Sequence, residues 1–207
     1  MLKKGFVVAI EGIDGAGKTT QAQMLYTSLQ NRGIDTILSK EPTDSIYGDK
    51  IRELAQGKRQ SSKVNEEYRL FVEDRKLHVK NIIKPALNEK KIVILDRYYF
   101  STMAYQGALG LNPVTIKTEN EAFSPIPEIV FIISVPPTIG IGRIRNGRKE
   151  IPNAFEHEEN LKKVAAIFNS MTFSYINCID GTTSSDQVHR YIISRIESVI
   201  EKYAVSP

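Results

Sequence analysis

Gly12-Ile-Asp-Gly-Ala-Gly-Lys-Thr19 is the stretch of this sequence that decides the fold. It matches the phosphate-loop pattern G-x-x-x-x-G-K-[ST] at every position. A short β-branched run over residues 5–10 precedes it and predicts a buried strand, and residues 18–32 follow with apolar side chains at helical spacing. Glycines let successive backbone N–H groups point at phosphate oxygens, and the helix adds its positive dipole end. The stretch therefore predicts a nucleotide phosphate site, with an ordinary glycine turn as the alternative.

The residue types in and near this loop suit a nucleoside triphosphate with its metal. Lys18 is expected to contact the β- and γ-phosphates, and the Thr19 hydroxyl to ligate Mg²⁺. Such loops also need a carboxylate at the end of a neighbouring strand, and Asp96 follows the apolar run 92–95. Asp96 is predicted to act on Mg²⁺ partly through water, with a turn former or helix cap as the alternative. The expected phosphate-binding residues are Gly12, Ile13, Asp14, Gly15, Ala16, Gly17, Lys18, Thr19 and Thr20.

Composition places few restrictions on the ligand but several on the class of protein. The chain has 207 residues, 41% of them hydrophobic, so it can bury a substantial core. Its 28 basic and 24 acidic residues leave a net charge of +4, which suits phosphate-bearing ligands about as well as nucleic acid. Cys178 is the single cysteine, expected in the core and typical of a reducing compartment. No apolar run approaches the ~20 residues of a membrane span, and none resembles a signal peptide. We expect one cytoplasmic domain over residues 1–207, without a membrane.

Strands and helices alternate along the chain. Apolar runs predict five strands, over residues 5–10, 34–38, 91–95, 128–134 and 175–179. Helical patterns are predicted over residues 18–32, 46–56, 65–88, 101–107 and 187–203, whereas residues 109–127 are mixed. Strands that are apolar throughout and alternate with helices are typical of a parallel sheet covered on both faces. The predicted fold is a single α/β domain.

The motifs that are missing narrow the kind of phosphate-loop protein. The sequence has no N/T-K-x-D guanine motif and no glycine-rich transporter signature such as LSGGQ. A small phosphotransferase with a second phosphate-bearing substrate remains. Arg97 directly follows Asp96, at the carboxyl edge where open α/β sheets bind ligands. Its guanidinium could hold a monophosphate bidentately, and a structural ion pair is the alternative.

Four segments of the sequence carry a resemblance to a known family. The segments are FVVAIEGIDGAGKTT over 6–20, Glu41-Pro42, FVEDR over 71–75 with IKPAL over 83–87, and DRYYFSTMAYQG over 96–107. They resemble the thymidylate kinase family of P-loop nucleoside monophosphate kinases. The resemblance implies transfer of the γ-phosphate of ATP to thymidine monophosphate with Mg²⁺ as cofactor. It also implies a P-loop NTPase-type three-layer fold, a five-stranded parallel sheet of order 2-3-1-4-5 and a homodimer.

The resemblance also implies where the acceptor nucleotide binds. Phe71 would stack on the thymine ring and Arg75 would hydrogen-bond its carbonyl edge, although an i, i+4 pair is more often a core contact beside a solvated charge. Asp14 would reach the sugar 3′-hydroxyl and Arg97 would grip the acceptor phosphate. The remaining implied acceptor residues are Glu41, Pro42, Thr102, Tyr105 and Gln106.

The basic run RIRNGRK over residues 143–149 resembles the family's lid, a mobile segment expected near residues 143–156. Arg145 and Arg148 would then neutralise charge on the transferring group. The expected catalytic residues are Lys18, Asp96, Arg97, Arg145 and Arg148. A solvated face or a nucleic-acid patch is the alternative, and nucleic acid is disfavoured because the run contains no aromatic residue.

The chain departs from the family pattern at a few positions around the implied acceptor site and lid. Lys40 stands where relatives usually have Arg, Thr43-Asp44-Ser45 stands in place of Gly-Gly-Thr, and Ala154 replaces an Arg. Glu73-Asp74 is more acidic than the usual small residues. Two other functions stay open from the sequence. One is a kinase for another nucleoside monophosphate or a deoxynucleoside, and the other is a non-enzymatic nucleotide- or nucleic-acid-binding module.

Overall fold

A computed structural model describes residues 2–56, 64–147 and 154–204 of the chain. Within them, five strands form one parallel sheet of order β2-β3-β1-β4-β5, which confirms the expected topology. Each strand begins and ends within two residues of its predicted bounds. The strands are β1 (Phe6–Glu11), β2 (Thr36–Lys40), β3 (Ile92–Asp96), β4 (Ile129–Ser134) and β5 (Ile176–Asp180).

Helices cover the sheet and hold its buried strands away from water. Every residue of β1 and β3 is buried, as expected for central strands of a parallel sheet with helices on both faces. The described helices are α1 (Lys18–Asn31), α2 (Ile46–Gln56), α3 (Val64–His78), α4 (Lys84–Asn88), α5 (Tyr99–Ala108), α6 (Pro113–Glu121), α7 (Pro137–Gly147), α8 (Ala154–Ser170) and α9 (Ser185–Tyr203). None of them is long and apolar enough to cross a membrane.

Three differences from the sequence-based elements have simple causes. The helix predicted over 65–88 contains a π turn, Val79–Ile83, just before Pro85, which has no N–H to continue the regular ladder. The mixed stretch 109–127 contains α6, which Asn112 caps by accepting from the N–H groups of Val114 and Thr115. Cys178 is exposed, so the prediction of a core residue is wrong, because β5 is an edge strand with one face open to solvent.

The register of the strands brings the carboxyl ends of three of them level. Asp96 of β3 pairs with Ile10 of β1 on one side and with Lys40 of β2 on the other. The backbone N–H of Glu41 also donates to the Asp96 carbonyl at 3.1 Å. The residues that follow these strands therefore meet at one edge of the sheet, where open α/β folds bind ligands.

Candidate active site

The phosphate loop lies between β1 and α1, as predicted, and its backbone needs glycine at more than one position. Gly15 has φ +78°, and a Cβ there would lie 2.2 Å from the carbonyl oxygen of Gly140 in α7. A Cβ on Gly12, φ +139°, would lie 2.4 Å from the carbonyl oxygen of Ile133. L-residues with a side chain avoid such φ values, and the space is filled by backbone. The loop is thus packed backbone to backbone against β4 and α7.

Lys18 is a buried cation at the start of α1. Its Nζ donates to the carbonyl of Ile13 at 2.8 Å, so the side chain folds back across the loop. Burial and, second, the Arg97 charge lower the pKa of Lys18 to about 8. The carboxylates of Asp14 and Asp96 oppose this shift. Lys18 therefore sits where an additional negative charge would stabilise its protonated form.

Thr19 and Asp96 form the pair that the phosphate-loop pattern predicts. The Thr19 hydroxyl donates to Asp96 Oδ2 at 2.6 Å. The other carboxylate oxygen, Oδ1, is buried and has no hydrogen-bond partner among the described residues. A hydroxyl beside a carboxylate with an unsatisfied oxygen suits Mg²⁺, which prefers oxygen ligands. The residues present therefore fit a magnesium ion.

Arg97 is held in an unusual backbone conformation beside the loop. Its φ is +74°, in the left-handed region that a bulky residue rarely adopts. Its guanidinium forms an ion pair with Asp14, donates to Ser101 Oγ at 3.0 Å and lies 5.2 Å from the ring centroid of Tyr105. The structure therefore brings together Asp14, Arg97 and Tyr105, three residues implied by the family resemblance. Strained residues of this kind cluster at functional sites.

Glu11, the last residue of β1, was not predicted as a site residue. Its carboxylate accepts from the N–H of Tyr98 at 2.7 Å and from the Ser101 hydroxyl at 2.6 Å. Burial raises the pKa of Glu11 to about 7, although the Ser101 hydroxyl stabilises the ionised form. Glu11 thus caps the start of α5 and joins the phosphate loop to the helix that carries three of the implied acceptor residues. A charged residue ending an apolar strand is the only signal that the sequence offers for it.

A second buried cluster contains Arg75, which is 1% exposed. Its Nε and Nη2 donate to Glu41 Oε2 at 2.8 and 2.6 Å, and Nη2 also donates to Thr102 Oγ1 at 3.0 Å. The structure therefore joins three implied acceptor residues from a loop, α3 and α5. The sequence missed two further members. Asn120 accepts from Arg75 Nη1 at 2.6 Å, and His78 Nδ1 lies 3.0 Å from Glu41 Oε1.

Two departures from the family pattern contact each other. The Asp74 carboxylate, 1% exposed, accepts from the Thr43 hydroxyl at 2.5 Å, the Thr43 N–H at 2.9 Å and the Ser45 hydroxyl at 2.6 Å. Ser45 Oγ in turn accepts from the N–H groups of Tyr47 and Gly48 at the start of α2. These contacts attach the loop after β2 to α3. On α3 the contact is made by Asp74, the residue directly before Arg75, which forms the ion pair with Glu41. The acidic character of α3 at Asp74 is therefore matched by the hydroxyls at 43 and 45.

The phosphate-loop residues line an open cleft of about 540 Å³ at the carboxyl edge of the sheet, and Glu41 of the Arg75 cluster lines it with them. Arg143 of α7 also lines the cleft, and its guanidinium donates to the carbonyl of Gly181 at 2.8 Å. The sequence analysis chose Arg145 and Arg148 from the basic run 143–149 and did not single out Arg143. The lining residues are Asp14, Gly15, Gly17, Lys18, Thr19, Thr20, Lys40, Glu41, Asp96, Arg97, Arg143 and Ile144.

The remaining predicted residues lie in several environments. Phe71 and Pro42 are half-buried, the latter after a cis peptide bond, and Arg145 is exposed on α7. Gln106 is buried, and neither atom of its amide has a hydrogen-bond partner among the described residues. Arg148 lies outside the described residues, as do the side chain of Ala154 and much of the expected lid.

The sheet order, the glycine loop after β1 and the Thr19–Asp96 pair define a P-loop nucleotide-binding protein. Comparison with known proteins gives the family. The model of the thymidylate kinase family matches residues 10–192, and the chain belongs to this family.

Curated relatives with similar sequences match nearly the full chain. It is 44% identical to a thymidylate kinase of Desulfotalea psychrophila over 197 residues, 95% of this chain and 96% of that protein. It is 44% identical over 186 residues to a thymidylate kinase of Xanthomonas oryzae pv. oryzae, covering 90% of this chain and 80% of that one. A thymidylate kinase of Xanthomonas euvesicatoria pv. vesicatoria is 43% identical over 186 residues.

Proposed function

We propose that this member of the thymidylate kinase family transfers the γ-phosphate of ATP to thymidine monophosphate, giving thymidine diphosphate and ADP. The observation that carries the proposal is the shared cleft. Lys18 and Thr19 of the phosphate loop line it together with Glu41 and Arg97, which belong to the implied acceptor side. A phosphotransferase needs both substrates in one water-poor site, because most of its catalysis is positioning and charge stabilisation.

On the donor side, residues 12–20 bind the triphosphate through backbone N–H groups and through Lys18. The Lys18 ammonium neutralises charge on the β- and γ-phosphates, and its lowered pKa means that phosphate binding favours proton uptake. Thr19 and Asp96 would hold Mg²⁺, in agreement with the unsatisfied Asp96 oxygen. When bound, the ion would neutralise negative charge on the phosphates.

On the acceptor side, Arg97 holds the monophosphate and Asp14 receives the sugar 3′-hydroxyl. The contact between these two side chains supports their acting on neighbouring parts of one nucleotide. Phe71 stacks on the base while Arg75 and Thr102 read its polar edge, supported by the bond between the latter two. The unpartnered amide of Gln106 and the Tyr105 hydroxyl, also buried and unpartnered among the described residues, suit polar contacts to the same nucleotide. Glu41 and Pro42 shape the loop beside it.

The lid belongs to the proposal as well. Arg145 and Arg148 supply positive charge to the transition state from a lid near residues 143–156, within a single domain spanning residues 1–207. The packing of Gly140 against the phosphate loop supports this, because it carries the start of the basic run to the cleft. The family resemblance further supports a homodimer acting in the cytoplasm. Light scattering of the purified protein tests the dimer.

The function is tested with purified protein, ATP, Mg²⁺ and a panel of nucleoside monophosphates, with ADP release measured for each. We expect thymidine monophosphate to be the best acceptor and deoxyuridine monophosphate to be slower by roughly 10–200-fold, since it lacks only a methyl group. Cytidine and purine monophosphates should be nearly inert. Faster turnover of deoxycytidine or deoxyguanosine monophosphate would overturn the thymidylate assignment and leave a general nucleotide kinase.

The variant Arg97→Ala separates the two sites. It should raise the KM for thymidine monophosphate while ATP binding, followed by titration, stays close to that of the parent. Loss of ATP affinity in this variant would mean that the two phosphate sites are reversed.

A further inference from the structure

Asn120, on α6, is fully buried, and both ends of its amide are in use. Its Oδ1 accepts from Arg75 Nη1 at 2.6 Å, and its Nδ2 donates to the Ile116 carbonyl at 2.7 Å and, more weakly, to the Tyr68 hydroxyl at 3.5 Å. A carbonyl can only accept and a guanidinium can only donate. The orientation of the amide is therefore fixed from both sides, and a flipped amide would lose two hydrogen bonds at once.

The contacts of Arg75 leave it very little freedom. A guanidinium has five N–H donors in one plane. Within the described part of the chain, two of them go to Glu41, one to Thr102 and one to Asn120. The guanidinium carbon also lies 5.6 Å from the ring centroid of Tyr98. Partners on three sides of the plane prevent rotation about the side-chain axis, and one N–H of Nη1 remains.

We propose that Asn120 is a positioning residue for base selection, holding the Arg75 guanidinium so that one remaining N–H meets the carbonyl edge of the acceptor base. This inference rests on the proposed function, in which Arg75 reads that edge. A single N–H in a fixed position can donate to a carbonyl oxygen of the base. It cannot pair with an amino group, because two donors that face each other are both left without an acceptor. Without Asn120, Nη1 has two uncommitted N–H groups and the guanidinium can tilt.

The expected effect is a loss of selectivity as well as of affinity. Asn120→Leu should lower kcat/KM for thymidine monophosphate by about 10- to 100-fold, mostly through KM, as expected when a charged hydrogen bond is misaligned. The ratio of kcat/KM for thymidine over deoxycytidine monophosphate should fall by about 10-fold or more. The KM for ATP should stay unchanged, because Asn120 has no contact with the phosphate loop.

A matched control separates positioning from a general loosening of α6. Tyr99→Phe removes the hydrogen bond from the Tyr99 hydroxyl to Glu121 at 2.9 Å, which also joins α5 to α6, but it leaves every contact of Arg75 in place. This control should keep the parental preference between the two pyrimidines. If Asn120→Leu does not fold, judged by circular dichroism, the smaller Asn120→Ala is assayed in the same way.

The outcomes are distinct. A folded Asn120 variant that keeps the parental ratio overturns the positioning role. Failure of both Asn120 variants to fold overturns it as well, since Asn120 would then be needed for folding. A ratio that falls in the Asn120 variant but also falls in Tyr99→Phe assigns the effect to α6 packing and again overturns it.

A parent protein that prefers another acceptor overturns the proposed function itself, whereas a thymidine-selective parent with equally selective Asn120 variants removes only this inference.

Discussion

The proposed active site has a donor half and an acceptor half, and the two are built in opposite ways. The phosphate loop is contiguous, residues 12–20, and the side chains of Asp96 and Arg97 join it from the end of β3. The acceptor cluster joins Glu41, Arg75, Thr102 and Asn120, whose contacts with Arg75 span 27 to 45 residues of chain. In a contiguous loop, phosphate binding depends on a few neighbouring residues. A distributed cluster links substrate recognition to the packing of three helices, so its loss should affect stability too.

The largest effect expected from this contrast is on stability, at Glu41. Glu41→Ala leaves the Arg75 cation buried without its carboxylate partner, which should lower the free energy of unfolding by about 3–5 kcal/mol. Urea unfolding followed by circular dichroism measures it. The control is Glu197→Ala, which removes the exposed ion pair with Arg32 and should change the free energy of unfolding by about 0–1 kcal/mol. Equal losses in the two variants would show that the acceptor cluster is not a stabilising network.

The donor half should show the reverse behaviour at Lys18. Lys18→Ala should lower kcat by about 10²–10³-fold or more, as when one electrostatic donor to a transition state is lost. Its melting temperature should not fall, because a buried cation with a lowered pKa gains nothing from being charged in the folded state. ADP release and thermal unfolding are measured on the same preparation. Parental turnover would remove Lys18 from the catalytic set.

A smaller effect is expected at Phe71, which should contribute stacking and nothing to the recognition of the methyl group. Phe71→Ala should reduce kcat/KM for thymidine and deoxyuridine monophosphates by the same factor, corresponding to about 1–3 kcal/mol. Tyr191→Ala, which removes an aromatic ring 41% exposed on α9, is the control and should leave both values unchanged. Unequal factors for the two acceptors would mean that the ring contacts the methyl group.

The pH dependence of ATP binding tests the electrostatics of the donor half. Lys18 has a pKa of about 8, below the ordinary range for lysine, and phosphate binding favours its charged form. Binding at pH 8 should therefore take up about half a proton, and ATP affinity at pH 9 should be about tenfold weaker than at pH 7. Calorimetry in two buffers of different ionisation enthalpy measures the uptake. Lys18→Ala should abolish it, and uptake that persists in this variant would assign the proton to another group.

The smallest effect is expected at the loop after β2. Thr43→Val removes one of the three hydrogen bonds to Asp74 and should lower the free energy of unfolding by about 0.5–1.5 kcal/mol. Thr118→Val is matched to it, because in the described part of the chain the Thr118 hydroxyl donates only to the Val114 carbonyl, on an exposed turn of α6. If the control loses as much stability as Thr43→Val, the buried carboxylate of Asp74 adds nothing to this contact.

Local sequence patterns predicted the residues of the donor half and the order of the strands and helices. The glycine loop, Lys18 and Thr19 are local features, because a strand, a turn and a helix start follow from neighbouring residues. The strand-terminal position of Asp96 follows from its apolar run, and the family resemblance supplied the sheet order. All five predicted strands are present, because strands of a parallel sheet are continuous apolar runs that can be recognised locally.

Only the tertiary structure decided the partners within the acceptor half. Asn120 lies in a stretch without a clear pattern, and Glu11, His78 and Asp74 look like ordinary polar residues in sequence. Their hydrogen bonds depend on how α3 approaches α6 and the loop after β2, and on how α5 approaches β1, which no local pattern encodes. The exposure of Cys178 also depends on tertiary structure. Its apolar run predicts burial, but β5 is an edge strand and one of its faces is exposed. Short-range backbone preferences set the loop, whereas long-range packing set the hydrogen-bond partners of Arg75 in the proposed acceptor site.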